Sequence, residues 1–90
     1  MVEGNDSCFK RLSPRECQVL SALMHAKSAR EISRELYVSV PTVRSQIRAI
    51  LLKLEVSTQL AAVVLAYRSG WSGDRYLDRG AEHKNLALGA

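Results

Sequence analysis

Hydrophobic positions between residues 12 and 54 recur at helical spacing in three runs, and each run opens with a helix-start signal. Ser13-Pro14-Arg15-Glu16 is a capping box with proline at the first helical position, and Ser28-Ala29-Arg30-Glu31 repeats the box. Ser39 precedes Pro41, which costs little in the first turn of a helix. The pattern predicts helices from residue 13 to about 25, from 28 to about 36, and from 39 to 54.

A fourth helix, predicted from Ser57 to about Ser69, is apolar on nearly every side along residues 60–67. Such a helix must be buried on every side, yet a chain this small has one thin core and cannot cover it completely. We therefore expect a second copy of the chain to cover part of it. A central buried helix in a monomer, or a strand favoured by Val63-Val64, remains an alternative. The spacing turns these side chains toward the core: Leu60, Val63, Val64 and Tyr67. Three other side chains would then be exposed unless a second copy covers them: Ala61, Leu65 and Ala62.

The second and third helices are separated by a turn of about three residues, 37–39, which makes a helix-turn-helix. Such a unit lays its second helix in the major groove of DNA and reads base edges from the N-terminal part of that helix. Residues 39–54 contain no acidic residue, and their polar face carries Arg44 and Arg48, about 6 Å apart along the helix axis. Arginine presents a planar fork to guanine. These features predict that helix 39–54 binds double-stranded DNA.

The predicted DNA contacts are of two kinds. The candidate base contacts are Arg44, Ser45 and Arg48. The candidate phosphate contacts are Ser39, Thr42, Lys53 and Lys27. The hydroxyl groups stand beside the free amides of a helix start, which bind phosphate, and the two lysines would act over a longer range.

The charge of the chain supports this function, and its length excludes several others. The chain has 90 residues and a formal net charge of +4. Residues 13–69 hold eight basic and four acidic residues and so account for all of that charge, which suits a polyanionic partner. One small domain leaves no room for a cofactor domain, and no nucleophile–base pair can be assembled. Cys8 and Cys17 lack zinc-ligand spacing. We therefore predict that the chain is not an enzyme and that it binds neither a cofactor nor a metal.

No membrane helix is indicated, because no stretch approaches roughly 18 apolar residues. No signal peptide is indicated, because no basic start is followed by an apolar block. We expect a cytoplasmic protein with no membrane partner and no small-molecule ligand. The domain is predicted at 12–69, between flexible segments at 1–11 and 70–90, which lack sustained periodicity. Three apolar side chains of the second segment could still dock on the domain: Trp71, Tyr76 and Leu77.

Several motifs resemble the LuxR-type (GerE-like) DNA-binding domain across about residues 12–69. They are Leu12-Ser13-Pro14-Arg15-Glu16, Ser28-Ala29-Arg30-Glu31-Ile32, Val38-Ser39-Val40-Pro41-Thr42-Val43-Arg44 and Leu54-Glu55-Val56-Ser57. The resemblance implies an all-α fold with a tri-helical core and a fourth, dimerising helix. It also implies sequence-specific binding to two half-sites and control of bacterial transcription. By position it assigns base reading to Arg44, Ser45 and Arg48, and a backbone contact to Thr42. The helix it assigns to dimerisation contains Leu60, Ala61, Val64 and Leu65.

The chain departs from the family pattern at two turns, where Ala26 and Glu55 replace the usual glycine. A left-handed residue there would cost roughly 1 kcal/mol, so we expect either reshaped turns or a less stable domain. Gln59 and Ala61 also replace a common polar-charged pair at the start of the fourth helix.

Two other functions compete with that of a DNA-binding regulator. Region 4 of a sigma factor has a similar helix-turn-helix but normally lacks the apolar fourth helix. A helical protein-interaction module would instead use Arg44 and Arg48 to grip an acidic partner. If the chain is a regulator, RNA polymerase is a further candidate partner.

Overall fold

Four α-helices account for most of residues 9–71, the part of the chain that the computed structural model describes. α1 spans Pro14–Met24, α2 spans Ala29–Leu36, α3 spans Val40–Leu54 and α4 spans Gln59–Arg68. Phe9 and Lys10 are also helical, and no strand occurs within residues 9–71. The predicted all-α, four-helix fold is confirmed, and the strand alternative for Val63-Val64 is wrong.

The two capping boxes form as the sequence predicts. The Ser13 hydroxyl accepts the Glu16 amide at 3.1 Å, and the Glu16 carboxylate accepts the Ser13 amide at 2.8 Å. Ser28 and Glu31 make the same pair of bonds at 3.1 and 2.8 Å. Each box satisfies two amides that the helix itself leaves without partners, so these sequences start helices at defined residues.

The starts of α3 and α4 use a single capping hydroxyl. Ser39 accepts the Thr42 amide at 3.2 Å, as expected. The cap of α4 is Thr58, whose hydroxyl accepts the Ala61 amide at 3.0 Å. The helix therefore starts one residue later than the predicted cap, Ser57, because the neighbouring threonine supplies the acceptor.

The core lies where α3 packs against the other three helices, with α1 also packed against α4. Val43, Ile47, Ile50 and Leu54 form the buried stripe of α3. The largest fully buried side chains are Leu20, Ile32, Ile50, Val19, Val43 and Cys17. The apolar face of α3 is thus the common surface on which the domain assembles.

Helix α4 is rotated differently from the arrangement predicted from its spacing. Ala62 and Ala66 are fully buried, whereas Leu60 and Val64 are 71% and 40% exposed. Tyr67 is also exposed, and its hydroxyl donates to the Met24 carbonyl at 2.8 Å. The predicted rotation was wrong because a helix that is apolar all round has no single stripe that defines its buried side.

The core extends past both limits of the predicted domain, 12–69. Phe9 is buried and stacks on Trp71, with ring centroids 5.2 Å apart and planes 14° apart. The predicted boundaries leave Phe9 in the flexible N-terminal segment and Trp71 in the C-terminal one. The stack joins the two ends of the described chain, so residues 9 and 71 belong to the domain. Tyr76 and Leu77 lie outside the described residues.

Within residues 9–71, three residues other than glycine adopt a left-handed backbone: Ala26, Tyr37 and Glu55, with φ of 63°, 58° and 59°. Ala26 and Glu55 stand at the two positions where the resemblance leads one to expect glycine. Their turns therefore keep the left-handed geometry instead of being reshaped, at a cost of roughly 1 kcal/mol each. Tyr37 takes the same conformation in the turn between α2 and α3, where the sequence does not indicate it.

Glu16 links the first capping box to α3. The carboxylate is nearly buried and accepts the Lys53 ammonium group at 2.7 Å as well as the Ser13 amide. Burial acts to raise the pKa of Glu16. The hydrogen bonds from Lys53 and Ser13, together with the charge of Lys53, outweigh burial and hold the pKa below its ordinary value of 4.5. The ionised form therefore stabilises the fold.

We predict that Ala26→Gly and Glu55→Gly each stabilise the domain by about 1 kcal/mol, because glycine adopts positive φ without steric cost. Urea unfolding followed by circular dichroism measures the change. Ala49→Gly is the matched control: it lies inside α3 and should destabilise by about 1 kcal/mol. Equal destabilisation by all three substitutions would contradict strain at the two turns.

We predict that Glu16→Gln destabilises the domain by about 1–2 kcal/mol at neutral pH, because it removes a charge-assisted hydrogen bond to Lys53. The folded pKa is depressed, so the stabilisation is complete above about pH 4.5 and is lost as the pH falls through the folded value. Urea unfolding of the wild type and the variant from pH 7 to pH 3 should show that the difference in their unfolding free energies shrinks below pH 4.5.

Glu31→Gln is the control, because Glu31 caps α2 and makes no ion pair with another described helix. It measures the contribution of a capping carboxylate alone. If the difference in unfolding free energy between the wild type and Glu16→Gln stays constant with pH, the ionised Glu16 is not the source of that difference.

Candidate nucleic-acid interface

The turn between α2 and α3 is closed by backbone hydrogen bonds. The Tyr37 and Val38 amides donate to the Arg34 and Ser33 carbonyls at 3.4 and 3.0 Å, which ends α2 at a left-handed residue. Ser39 then starts α3 at once. Since so short a turn leaves little freedom, the packing of the two helices decides which side of α3 faces outward.

The side of α3 opposite the core carries all three candidate base contacts. Arg44, Ser45 and Arg48 are exposed, while Val43 and Ile47 beside them are buried. Within residues 9–71, no carboxylate lies within ion-pair distance of Arg44 or Arg48. The structure therefore brings these three side chains together on one exposed, cationic surface.

The first turn of α3 places Ser39 and Thr42 together at the helix start. Their hydroxyl oxygens are 2.9 Å apart, and both residues are exposed. No acidic residue lies in this first turn. An anion approaching here meets two hydroxyl groups and the positive end of the helix dipole.

The two candidate phosphate-binding lysines are already paired with carboxylates. Lys27 lies 2.7 Å from a Glu35 oxygen, and Lys53 lies 2.7 Å from Glu16. Moving Lys53 to a phosphate would leave the nearly buried Glu16 without its partner, which is costly. Both lysines are thus less available than their positions in the sequence suggest.

An open depression of about 400 Å³ borders the two arginines of α3. It lies between α3 and the first residues of α2 and α4. Its lining residues are Ala29, Arg44, Ile47, Arg48, Leu51 and Gln59. The guanidinium groups therefore border open space over an apolar floor, which leaves them room to extend toward a partner.

Two exposed residues near this surface received no role from the sequence. Leu52 follows Arg48 by four residues on α3 and is 76% exposed. Tyr37, in the turn before α3, is also exposed. The spacing of four from Arg44 to Arg48 to Leu52 is the signal that places Leu52 on the same side of the helix.

The candidate interface residues of α4 are divided by the fold. Leu60 and Val64 are exposed, and Ala61 is half-buried. Leu65 is half-buried and packs against the core. An apolar stripe is thus available to a partner, and Tyr67, which the spacing had assigned to the core, extends it.

Other site chemistry is limited among the described residues. No group of three or more His, Cys, Asp or Glu side chains within residues 9–71 could hold a metal ion. Cys17 is buried, and its burial, with the charge of Glu16, raises the pKa of the thiol, which makes it a poor nucleophile. No single helix of residues 9–71 is long and apolar enough to cross a membrane; α3 and α4 qualify only when taken together across a 55° bend.

Comparison with known proteins gives a family and several relatives. The model of the family described as "Bacterial regulatory proteins, luxR family" matches residues 10–66. The chain is 38% identical over 58 residues to the transcriptional regulatory protein LiaR of Bacillus subtilis, covering 64% of this chain and 28% of LiaR. It is 38% identical over 60 residues to DegU of Brevibacillus brevis, covering 67% of this chain and 25% of DegU.

A third relative, the transcriptional regulatory protein DesR of Bacillus subtilis, is also 38% identical over 60 residues, or 67% of this chain and 30% of DesR. The matched region thus spans between a quarter and a third of the length of these relatives. No solved structure gives a significant match to the chain.

Proposed function

We propose that this chain, which belongs to the luxR family of bacterial regulatory proteins, binds double-stranded DNA sequence-specifically through α3 and acts in bacterial transcription regulation. Membership of this family supports a helix-turn-helix regulator over an enzyme, and it favours that function over region 4 of a sigma factor. The observation that carries the proposal is the exposed face of α3, on which Arg44 and Arg48 have no carboxylate partner within residues 9–71. The proposed place of action is the cytoplasm, where bacterial DNA lies.

In the proposed complex, α3 enters the major groove and presents Arg44, Ser45 and Arg48 to base edges. A guanidinium group can donate two hydrogen bonds to O6 and N7 of one guanine. Arg44 and Arg48 are about 6 Å apart along the axis, so they would reach different base pairs. Ser45, between them on the exposed face, could donate to or accept from either kind of base pair.

The proposed phosphate contacts position α3 and do not select a sequence. Ser39 and Thr42 are favoured because they lie at a helix start without acidic residues and are exposed. Lys27 and Lys53 have the weaker claim, since each already pairs with a carboxylate. They would add to the attraction of DNA over a longer distance than a hydrogen bond.

We further propose that two copies of the chain pair through α4. The exposed stripe of Leu60, Val64 and Tyr67 supports this, because these large side chains are spaced by four and three residues on one side of the helix. A two-fold dimer would present two copies of α3 to successive major grooves, about 34–36 Å apart. Leu60 and Val64 would lie in the interface and Ala61 at its edge, whereas Leu65 serves the core.

We predict that Arg44→Ala weakens binding to the preferred duplex by about 1–3 kcal/mol and relaxes the preference at one base pair, because a bidentate contact to guanine is lost. Selection of preferred duplexes from a random pool supplies the probe, and fluorescence anisotropy measures affinity at several salt concentrations. A steep loss of affinity with salt is expected for any DNA complex held by phosphate contacts.

Arg68→Ala is the matched control, because it removes the same charge from the exposed end of α4. It should leave the base preference unchanged. Equal losses on preferred and random duplexes for Arg44→Ala would assign Arg44 to phosphate. Failure to prefer any duplex would contradict sequence-specific binding itself.

We predict that Val64→Glu and Leu60→Glu convert a dimer into monomers, because each places a charge in an apolar interface without a partner. Light scattering gives the mass, and circular dichroism shows whether the fold is kept. Leu52→Glu is the control, since it introduces the same charge at an equally exposed leucine on α3. A wild-type protein that is monomeric at all concentrations and on DNA would contradict the dimer.

A further inference from the structure

We infer that Leu52 is a specificity-determining residue, which contacts the 5-methyl group of a thymine in the major groove. The inference rests on the proposed function, because it requires α3 to bind in that groove. It adds an apolar contact to the two arginine contacts, and so it adds a base preference to the half-site.

The first support is the position of Leu52 on the exposed side of α3. The helix is unbroken over Val40–Leu54, so Leu52 follows Arg48 on the same exposed side, although it is turned about 80° from Arg44. Each step advances about 6 Å and turns the side chain about 40°. All three residues are exposed, and together they span about 12 Å of the helix.

The second support is that the fold does not use the Leu52 side chain. Leu51 packs against the core and Leu54 is buried, whereas Leu52 between them is 76% exposed. A single exposed leucine is common on protein surfaces, but this one continues a row of proposed base contacts. In the major groove, the 5-methyl group of thymine is the apolar feature that distinguishes one base from the others.

The third support is the extent of the surface. A homeodomain reads bases from side chains spread over eight consecutive positions of one helix, so the nine positions from Arg44 to Leu52 are a comparable span. Long side chains on a helix lean toward its N-terminus, which would bring Leu52 back toward the turn of Arg48. The surface ends at Glu55, an exposed carboxylate that lies 3.6 Å from Arg11 and would be repelled by phosphates.

The test uses the 90-residue chain and its preferred duplex selected from a random pool. Each thymine of the half-site is replaced in turn by deoxyuridine, which removes only the methyl group. At one position, we expect the wild type to bind the deoxyuridine duplex about fourfold more weakly than the thymine duplex. Burial of one methyl group implies a factor of this size. Leu52→Ala should bind the thymine and uracil duplexes equally well, while Leu52→Met should keep the discrimination.

The other results overturn the assignment. If the wild type discriminates at no thymine, or if Leu52→Ala discriminates as the wild type does, Leu52 does not read a methyl group. If Leu52 contacts another protein and not DNA, the wild type will discriminate at no thymine. In both cases a preferred duplex that depends on Arg44 leaves the proposed function intact. If no duplex is preferred at all, the proposed function fails and the assignment of Leu52 fails with it.

Discussion

Burial of one side of α3 determines what the rest of the domain can do. Val43, Ile47, Ile50 and Leu54 pack against the other three helices, and this contact sets the rotation of α3 about its axis. A rotation by half a turn would bury the arginines and expose the core, so the apolar contact that folds the chain also orients the cationic surface. Folding and presentation of the proposed DNA contacts therefore rest on the same interaction.

The acidic residues of the domain are engaged elsewhere, so the arginines of α3 have no carboxylate partner within residues 9–71. Four carboxylates occur within residues 9–71. Glu16 and Glu31 complete capping boxes, with Glu16 also bound to Lys53. The other two carboxylates pair with lysine or arginine: Glu35 with Lys27 and Glu55 with Arg11. Because these carboxylates hold helix ends or other cations, none of them neutralises the arginines on the exposed face of α3.

The short turns of the domain are kept at a cost in backbone strain. Each of the first three helices is followed by a turn that contains a left-handed residue, at Ala26, Tyr37 and Glu55. Glycine would make these turns with less strain. The turns nevertheless keep their geometry, because helices joined by so few residues can pack on one another in few ways. Packing of the core thus outweighs about 1 kcal/mol of strain at each turn.

The sequence alone determined the features that depend on neighbouring residues. The caps at Ser13, Ser28 and Ser39 satisfy helix amides from three residues away, and the spacing along α3 defines its exposed face. The extents of α1, α2 and α3, and the grouping of Arg44 with Arg48, could therefore be predicted. The family membership followed from the same local motifs.

Only the tertiary structure decided the features that depend on distant residues. The pairing of Lys53 with Glu16 joins positions 37 residues apart, and the stack of Phe9 on Trp71 joins the two ends of the domain. The rotation of α4 depends on which of its apolar sides fits the core. Ala62 and Ala66 are buried there, whereas the larger Leu60 and Tyr67 are exposed. Periodicity could not predict the rotation of α4, because an evenly apolar helix has no preferred side. It could not predict the ion pair either, because the sequence does not indicate which distant carboxylate a lysine will contact.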